Sequence, residues 1–89
     1  MSLNDEQRET TRRELLANLE LSELPIEQVR AELGMTPEQL DAAFAVGPDA
    51  NPTHVWRLRD YLQEKIEDQG KEPVPFTVLK INRFYPYPR

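Results

Sequence analysis

The sequence predicts an all-α fold: a small four-helix domain that contains a helix-turn-helix-like hairpin and ends in an extended, proline-rich C-terminal tail. Apolar residues recur at helical spacing through most of the chain. Prolines and glycines stand between these segments, at positions that suit the starts and ends of helices. The helical period is lost after residue 70, and four prolines fall in the last eighteen residues. We therefore expect a single domain over residues 1–89, with helices at about 4–20, 25–33, 37–46 and 53–69 and a tail over 71–89.

Length and composition favour a small protein held together by its apolar core. A chain of 89 residues buries only about 60–65% of its unfolded surface, so its stability margin is thin. It has no cysteine, which excludes disulfides and thiolate-bound zinc. No segment approaches the roughly 18 apolar residues of a membrane span, and the amino terminus lacks the features of a signal peptide. We expect a soluble, cytoplasmic protein that does not enter a membrane.

The first helix carries apolar side chains only in its second half. Asn4 is a good capping residue, and Gln7 stands where a capping box needs it. Large apolar residues then appear at Leu15, Leu16 and Leu19. We expect this second half to pack on the core. The first half is either a solvated helix or an arm that contacts something else.

Two short helices and the turn between them have plain boundary signals. Pro25 and Pro37 suit first helical positions, and Gly34 suits a helix end that needs the left-handed conformation. Thr36 is a capping residue, with Gln39 in the first turn that follows it. An apolar face is expected for Ile26, Val29 and Leu33. The spacing around Gly34 is that of a helix-turn-helix motif.

The fourth helix is the longest and has the clearest apolar stripe, at Val55, Leu58, Leu62 and Ile66. Gly70 is its expected end. The tail that follows should lie extended on the helices, anchored by Phe76 and Leu79, because its prolines cannot continue a helix. The predicted core comprises Leu15, Leu19, Val29, Leu33, Leu40, Phe44, Leu58, Leu62 and Ile66, with Trp56 and Phe76 largely buried.

The charge of the hairpin opposes the DNA-binding role that its spacing indicates. Residues 25–46 contain one cation, Arg30, and four acids, for a net charge of −3. Affinity for DNA depends on cations that neutralise phosphates, and Glu38 and Asp41 fall on the helix that would read the bases. Arg30 also stands where the motif usually has a small residue. Under the DNA-binding alternative, the candidate contact residues are Thr36, Gln39, Arg30 and Arg12.

Catalytic and metal-binding groups are sparse. The only histidine is His54, near the start of the fourth helix. No nucleophile with an adjacent base can be assigned from the spacing, and one histidine among scattered carboxylates is a poor metal site. Three glycines in the whole chain leave no glycine-rich phosphate loop. We expect a protein that is not an enzyme and binds no cofactor.

The end of the tail combines aromatic and basic residues. Aromatic residues with arginines are enriched at protein interfaces, and they also stack on single-stranded bases. We favour contact with the domain itself or with a second copy of the chain. The candidate partner-binding residues are Phe84, Tyr85, Tyr87 and Arg83.

Four segments of the chain resemble a known family. They are "MSLNDEQ", "LELSELPIEQVRAELGMTPEQL", "WRLRDYLQEKI" and, most specifically, "GKEPVPFTVLK". The chain resembles bacterial domain of unknown function 2316 over nearly its whole length, up to about Lys80. The resemblance implies a small all-helical, helix-turn-helix-like bacterial protein. It implies no activity, cofactor or catalytic residue.

The sequence therefore favours a non-catalytic protein-interaction or self-association module built on a helix-turn-helix-like scaffold. The expected partner is a second copy of the chain, as in a homodimer, or another protein. The alternative is a DNA-binding transcriptional regulator that uses residues 25–46.

Overall fold

Four α-helices contain most of the residues that the computed structural model describes, which are residues 4–47 and 50–78. Helix α1 spans Asp5–Ser22, α2 spans Ile26–Leu33, α3 spans Pro37–Ala45 and α4 spans Pro52–Asp68. No strand occurs within these described ranges. The all-α prediction is confirmed, and each helix end lies within two residues of its expected position.

Side chains that accept backbone hydrogen bonds determine where the helices begin. Asn4 accepts from the backbone of Gln7 at 2.7 Å, and the Gln7 side chain accepts from the backbone of Asn4 at 3.0 Å. Thr36 and Gln39 form the same reciprocal box at α3, at 3.1 and 3.0 Å. Asn51 caps α4, which therefore starts one residue earlier than expected. These contacts satisfy backbone donors that have no partner inside the helix.

The core is built around α4, which packs against all three other helices. Its apolar stripe of Val55, Leu58, Leu62 and Ile66 is fully buried. The other expected core residues that are buried are Leu15, Val29, Leu33, Leu40, Phe44, Trp56 and Phe76. The helical period of α4 therefore identified the side of the helix that the other elements cover.

The core differs from the expected one at its edges. Leu19 is only partly buried and packs against the outside of the core. Ile26 is 44% exposed instead of facing inward. Met35 and Val46 are buried although they lie outside the helices, where periodicity gives no guidance. The core therefore also includes apolar residues from the segments that follow α2 and α3.

The described part of the tail, residues 70–78, packs back on the helices as predicted, and we call it the strap. Its central contact is with Asn18, a fully buried side chain of α1. The Asn18 amide accepts from the Val74 N–H at 2.8 Å and donates to the Val74 carbonyl at 3.1 Å. One side chain therefore satisfies both backbone groups of Val74, as a neighbouring strand would.

Further polar contacts fasten the strap at both ends. Near its start, the Lys71 ammonium donates to the Leu21 carbonyl at 2.9 Å and to the Glu23 carboxylate at 2.8 Å. The Lys71 contact lowers the pKa of the Glu23 carboxyl below its usual value. Near its end, the Thr77 N–H and hydroxyl donate to the Glu14 carboxylate at 3.1 and 2.7 Å. The strap thus runs antiparallel to α1, from its carboxyl end towards its amino end.

Phe76 is the apolar anchor of the strap and is only 6% exposed. The Arg59 guanidinium lies 5.0 Å from the Phe76 ring and 5.5 Å from the Trp56 ring, within the range of cation–π attraction. The expected burial of Phe76 is therefore confirmed. Leu79, the other expected anchor, lies outside the described residues.

Replacing Asn18 by alanine should destabilise the protein by about 2–3 kcal/mol, because both backbone groups of Val74 would lose their partner at a partly buried site. Urea unfolding monitored by circular dichroism measures this loss. Hydrogen exchange of the Val74 amide should also become faster than in the parent protein.

Thr11→Ala is the matched control, since Thr11 is also fully buried on α1 but bonds only to the Gln7 carbonyl of its own helix. It should leave exchange at Val74 unchanged. Equal protection of Val74 in the parent and in Asn18→Ala would show that the strap is held by other contacts.

Candidate interaction surface on helices α2 and α3

The connection between α2 and α3 is a turn of three residues, Gly34, Met35 and Thr36. Gly34 adopts the left-handed conformation with φ of +67°, which glycine accepts without steric cost. Met35 is buried and its N–H donates to the Arg30 carbonyl at 3.2 Å. Thr36 then caps α3. Every residue of the turn therefore has a structural role, which fixes how α3 leaves α2.

The residues considered for DNA contact have local roles. Thr36 and Gln39 form the capping box of α3, so a side-chain group of each is already bonded to backbone. The Arg30 guanidinium pairs with Glu27 at 3.4 Å. Arg12 lies on α1 and donates to the Glu9 carboxylate at 3.1 Å. The structure thus places three of the four candidates at the α2–α3 turn and the fourth on another helix.

The residues considered for partner binding, Arg83, Phe84, Tyr85 and Tyr87, lie outside the described residues. The last strap residues, Thr77 and Val78, border a cavity of about 340 Å³ that is also lined by Asn4, Gln7 and Thr10. The described chain therefore ends beside the amino end of α1.

The outer side of the two short helices carries a groove that the sequence did not reveal. Its volume is about 190 Å³, and we call it the α2–α3 groove. Its lining residues are Ile26, Glu27 and Arg30 of α2 and Pro37, Leu40 and Asp41 of α3. Ile26 and Leu16 are the large apolar side chains left exposed among the described residues, at 44% and 41%. Binding sites in proteins are commonly concave and lined by apolar residues together with a few polar groups.

Carboxylates border the groove. Glu27 and Asp41 belong to its lining, and Glu38 is exposed on the same helix as Asp41. Within the described part of the chain, neither Glu38 nor Asp41 pairs with a cation. The groove therefore combines apolar residues with the Glu27–Arg30 pair and with Asp41, a carboxylate that has no cation partner among the described residues.

The carboxyl end of α2 is fixed to α4. The Tyr61 hydroxyl donates to the Glu32 carboxylate, and the Lys65 ammonium lies 3.6 Å from it. The Arg57 guanidinium donates to the Leu33 carbonyl at 2.7 Å, at the carboxyl end of α2, where a cation is favourable. These contacts hold the end of α2 against α4.

The Glu32–Tyr61 contact shifts both pKa values in opposite directions. The hydrogen bond from Tyr61 lowers the pKa of the Glu32 carboxyl, with Lys65 adding to the effect. Burial raises the pKa of the Tyr61 hydroxyl well above its usual value of 10, and the bond to Glu32 raises it further. The lowered pKa favours the ionised form of Glu32 and the raised pKa favours the protonated form of Tyr61. These are the forms in which the hydrogen bond exists.

The described residues do not assemble a candidate metal site. Over residues 4–47 and 50–78, no three His, Asp or Glu side chains are grouped so that they could hold a metal ion. The half-buried His54 lies in the first turn of α4. Among the described helices, none has the length and apolar character needed to span a bilayer.

Comparison with protein families confirms the resemblance. The family model described as "Uncharacterized protein conserved in bacteria (DUF2316)" matches residues 1–85. The chain belongs to this family. The matched region contains the whole strap and the α2–α3 groove. Neither a curated protein nor a solved structure matches the chain.

The most specific segment of the DUF2316 resemblance, residues 70–76, has a structural explanation. Gly70 follows α4 with a φ of +75°, Lys71 bonds to the end of α1, Val74 pairs with Asn18, and Phe76 fills the core. These four residues therefore attach the strap to α1 and to the core. The α2–α3 groove lies elsewhere and is the better candidate for function.

Stability should fall at both ends of the pH range because of the Glu32–Tyr61 contact. The Glu32 contribution is present above its usual pKa of 4.5 and is lost as the pH falls through the lowered value. The Tyr61 contribution is present below pH 10 and is lost as the pH rises towards the raised value. Urea midpoints between about pH 3 and pH 11 measure both effects.

Tyr61→Phe should reduce the loss of stability at both alkaline and acid pH. Glu32→Gln should also reduce the loss of stability at both ends of the pH range. The double variant should differ little from either single variant if the two groups act as one pair. Additive effects of the two substitutions would contradict the coupling.

Proposed function

We propose that this DUF2316 protein is a non-catalytic protein-interaction module that self-associates through the α2–α3 groove. The observation that carries the proposal is Ile26, which is 44% exposed in a concavity bordered by Glu27 and Asp41. Monomeric proteins expose single apolar residues routinely. A large apolar residue inside a charged concavity is less usual and offers both affinity and orientation to a partner.

The groove alone supplies only part of the energy of an interface. Covering the exposed part of Ile26 contributes about 1 kcal/mol, whereas a stable interface buries about 1,200–2,000 Å² in total. The proposal therefore makes Ile26 an anchor within a wider contact. Because α2 is fixed to α4 through Glu32, Tyr61 and Arg57, the anchor is presented on a rigid support, which lowers the entropic cost of binding.

The second candidate is a DNA-binding transcriptional regulator. The short turn between α2 and α3, with its glycine and its capping box, supports this alternative because the spacing is that of a helix-turn-helix. Its electrostatics oppose it. Glu38 and Asp41 are exposed on α3, and Arg30, the one cation of residues 25–46, is paired with Glu27. Phosphates approaching this helix would meet carboxylates, so we favour a protein partner.

Self-association predicts a mass that increases with concentration. Light scattering on the full chain, from about 1 to 500 μM, should show a transition from monomer to dimer, in the range of weak to moderate affinity that a small interface gives. A monomer mass over the whole range would contradict the proposal.

Duplex DNA of random sequence should not bind the protein at about 50 mM or 200 mM salt. The hairpin lacks the cations that would neutralise DNA phosphates and so release the counterions bound to them. Fluorescence anisotropy measures DNA binding. Reversing two acids, with Glu38→Lys and Asp41→Lys, should produce weak binding that salt abolishes. Salt-sensitive binding by the parent protein would instead favour the regulator and direct attention to Arg12 and the tail.

A further inference from the structure

We infer that the α2–α3 groove binds residues 79–89 of a second copy of the chain, so that two copies exchange their carboxyl-terminal segments. The inference rests on the proposed self-association and specifies the occupant of the groove.

The residues that line the groove favour a ligand that is both apolar and basic. Its floor includes Leu40, which is 2% exposed, and Ile26. Its border carries Asp41, and Glu27, which pairs with Arg30 of the same lining at 3.4 Å. An aromatic ring beside a cation matches this pattern, because the ring covers the floor while the cation meets the border.

Residues 79–89 have this chemistry. The segment "LKINRFYPYPR" contains three cations, three aromatic residues and no acid. It contributes +3 to a chain whose net charge is −5, so residues 1–78 carry −8. Its two prolines reduce the number of conformations that binding must restrict. The chain thus contains both an acidic receptor and a basic, aromatic ligand.

The position of Val78 favours a second copy over the groove of the same chain. Val78 borders a cavity with Asn4 and Gln7, at the amino end of α1. Ile26 begins α2, soon after α1 has ended at Ser22. Helix α1 has 18 residues, so these two ends are separated by roughly 27 Å at 1.5 Å per residue.

That separation exceeds the reach of the first aromatic residue in the segment. Phe84 lies six positions beyond Val78, a distance of at most about 20 Å in a fully extended chain. Tyr85 is one position further, and only Tyr87, at about 30 Å, could span the length of α1. Exchange between two copies sets no such limit, so all three aromatic residues are available to the groove. It also forms two identical contacts in each dimer, as a two-fold symmetric assembly requires.

The first test compares two substitutions of equally exposed apolar residues in the full chain. Ile26→Glu places a charge in the groove, and Leu16→Glu places one on α1, where the exposure is 41% against 44%. Sedimentation velocity over a concentration series should show that Ile26→Glu weakens dimerisation about tenfold or more, as expected for an anchor residue. Leu16→Glu should leave the dimer unchanged.

The second test exchanges charges between groove and segment. One variant carries Glu27→Lys and Asp41→Lys, and the other carries Arg83→Glu and Arg89→Glu. Each alone should be monomeric where the parent is dimeric, since like charges then face one another. An equimolar mixture should associate again, because each groove would receive a segment of opposite charge from the other variant. Circular dichroism verifies that both variants are folded.

The possible results separate this inference from the proposed function. A parent dimer that neither Ile26→Glu nor the charge reversals weaken would overturn the inference and leave self-association intact. Loss of association in each variant without recovery in the mixture would also overturn it, because a segment bound within its own chain gives that result. A parent protein that is monomeric throughout would overturn both.

Discussion

The hydrogen-bonded pair between Asn18 and Val74 determines how the strap lies on the helices. A buried amide is costly unless its donor and acceptor are both satisfied, and Asn18 is satisfied by the Glu14 and Val74 carbonyls and by the Val74 N–H. In an extended chain, a shift of one residue turns every side chain to the opposite side. The pair therefore also fixes Phe76 in the core and brings Thr77 to Glu14.

Much of the fold was predictable because its signals are local. Asn4, Gly34 and Thr36 act on backbone groups within a few residues, so their roles at helix ends follow from sequence alone. The buried side of α4 follows from its period. The errors at Ile26 and Leu19 have another cause. Periodicity gives the direction of a side chain around the helix axis but not whether the core extends that far along it.

The candidate surface was only half predictable, because its charge is a property of the sequence and its shape is not. The excess of acids over residues 25–46 is visible in the chain itself. The α2–α3 groove exists only because two short helices meet at the angle set by the turn. Thr36 and Gln39 have side chains suited to base contacts, yet the same groups cap α3. Sequence alone does not distinguish these two uses of a polar side chain.

The separation of Asn18 and Val74 along the chain has a consequence for the order of folding. The two partners are 56 positions apart along the chain, whereas the capping boxes join residues three positions apart. Closing such a long loop costs entropy that local contacts do not. The helix ends that the capping boxes define should therefore form before the strap docks on α1. A ribosome would complete this protein's helical core before the strap that secures it has been synthesised in full.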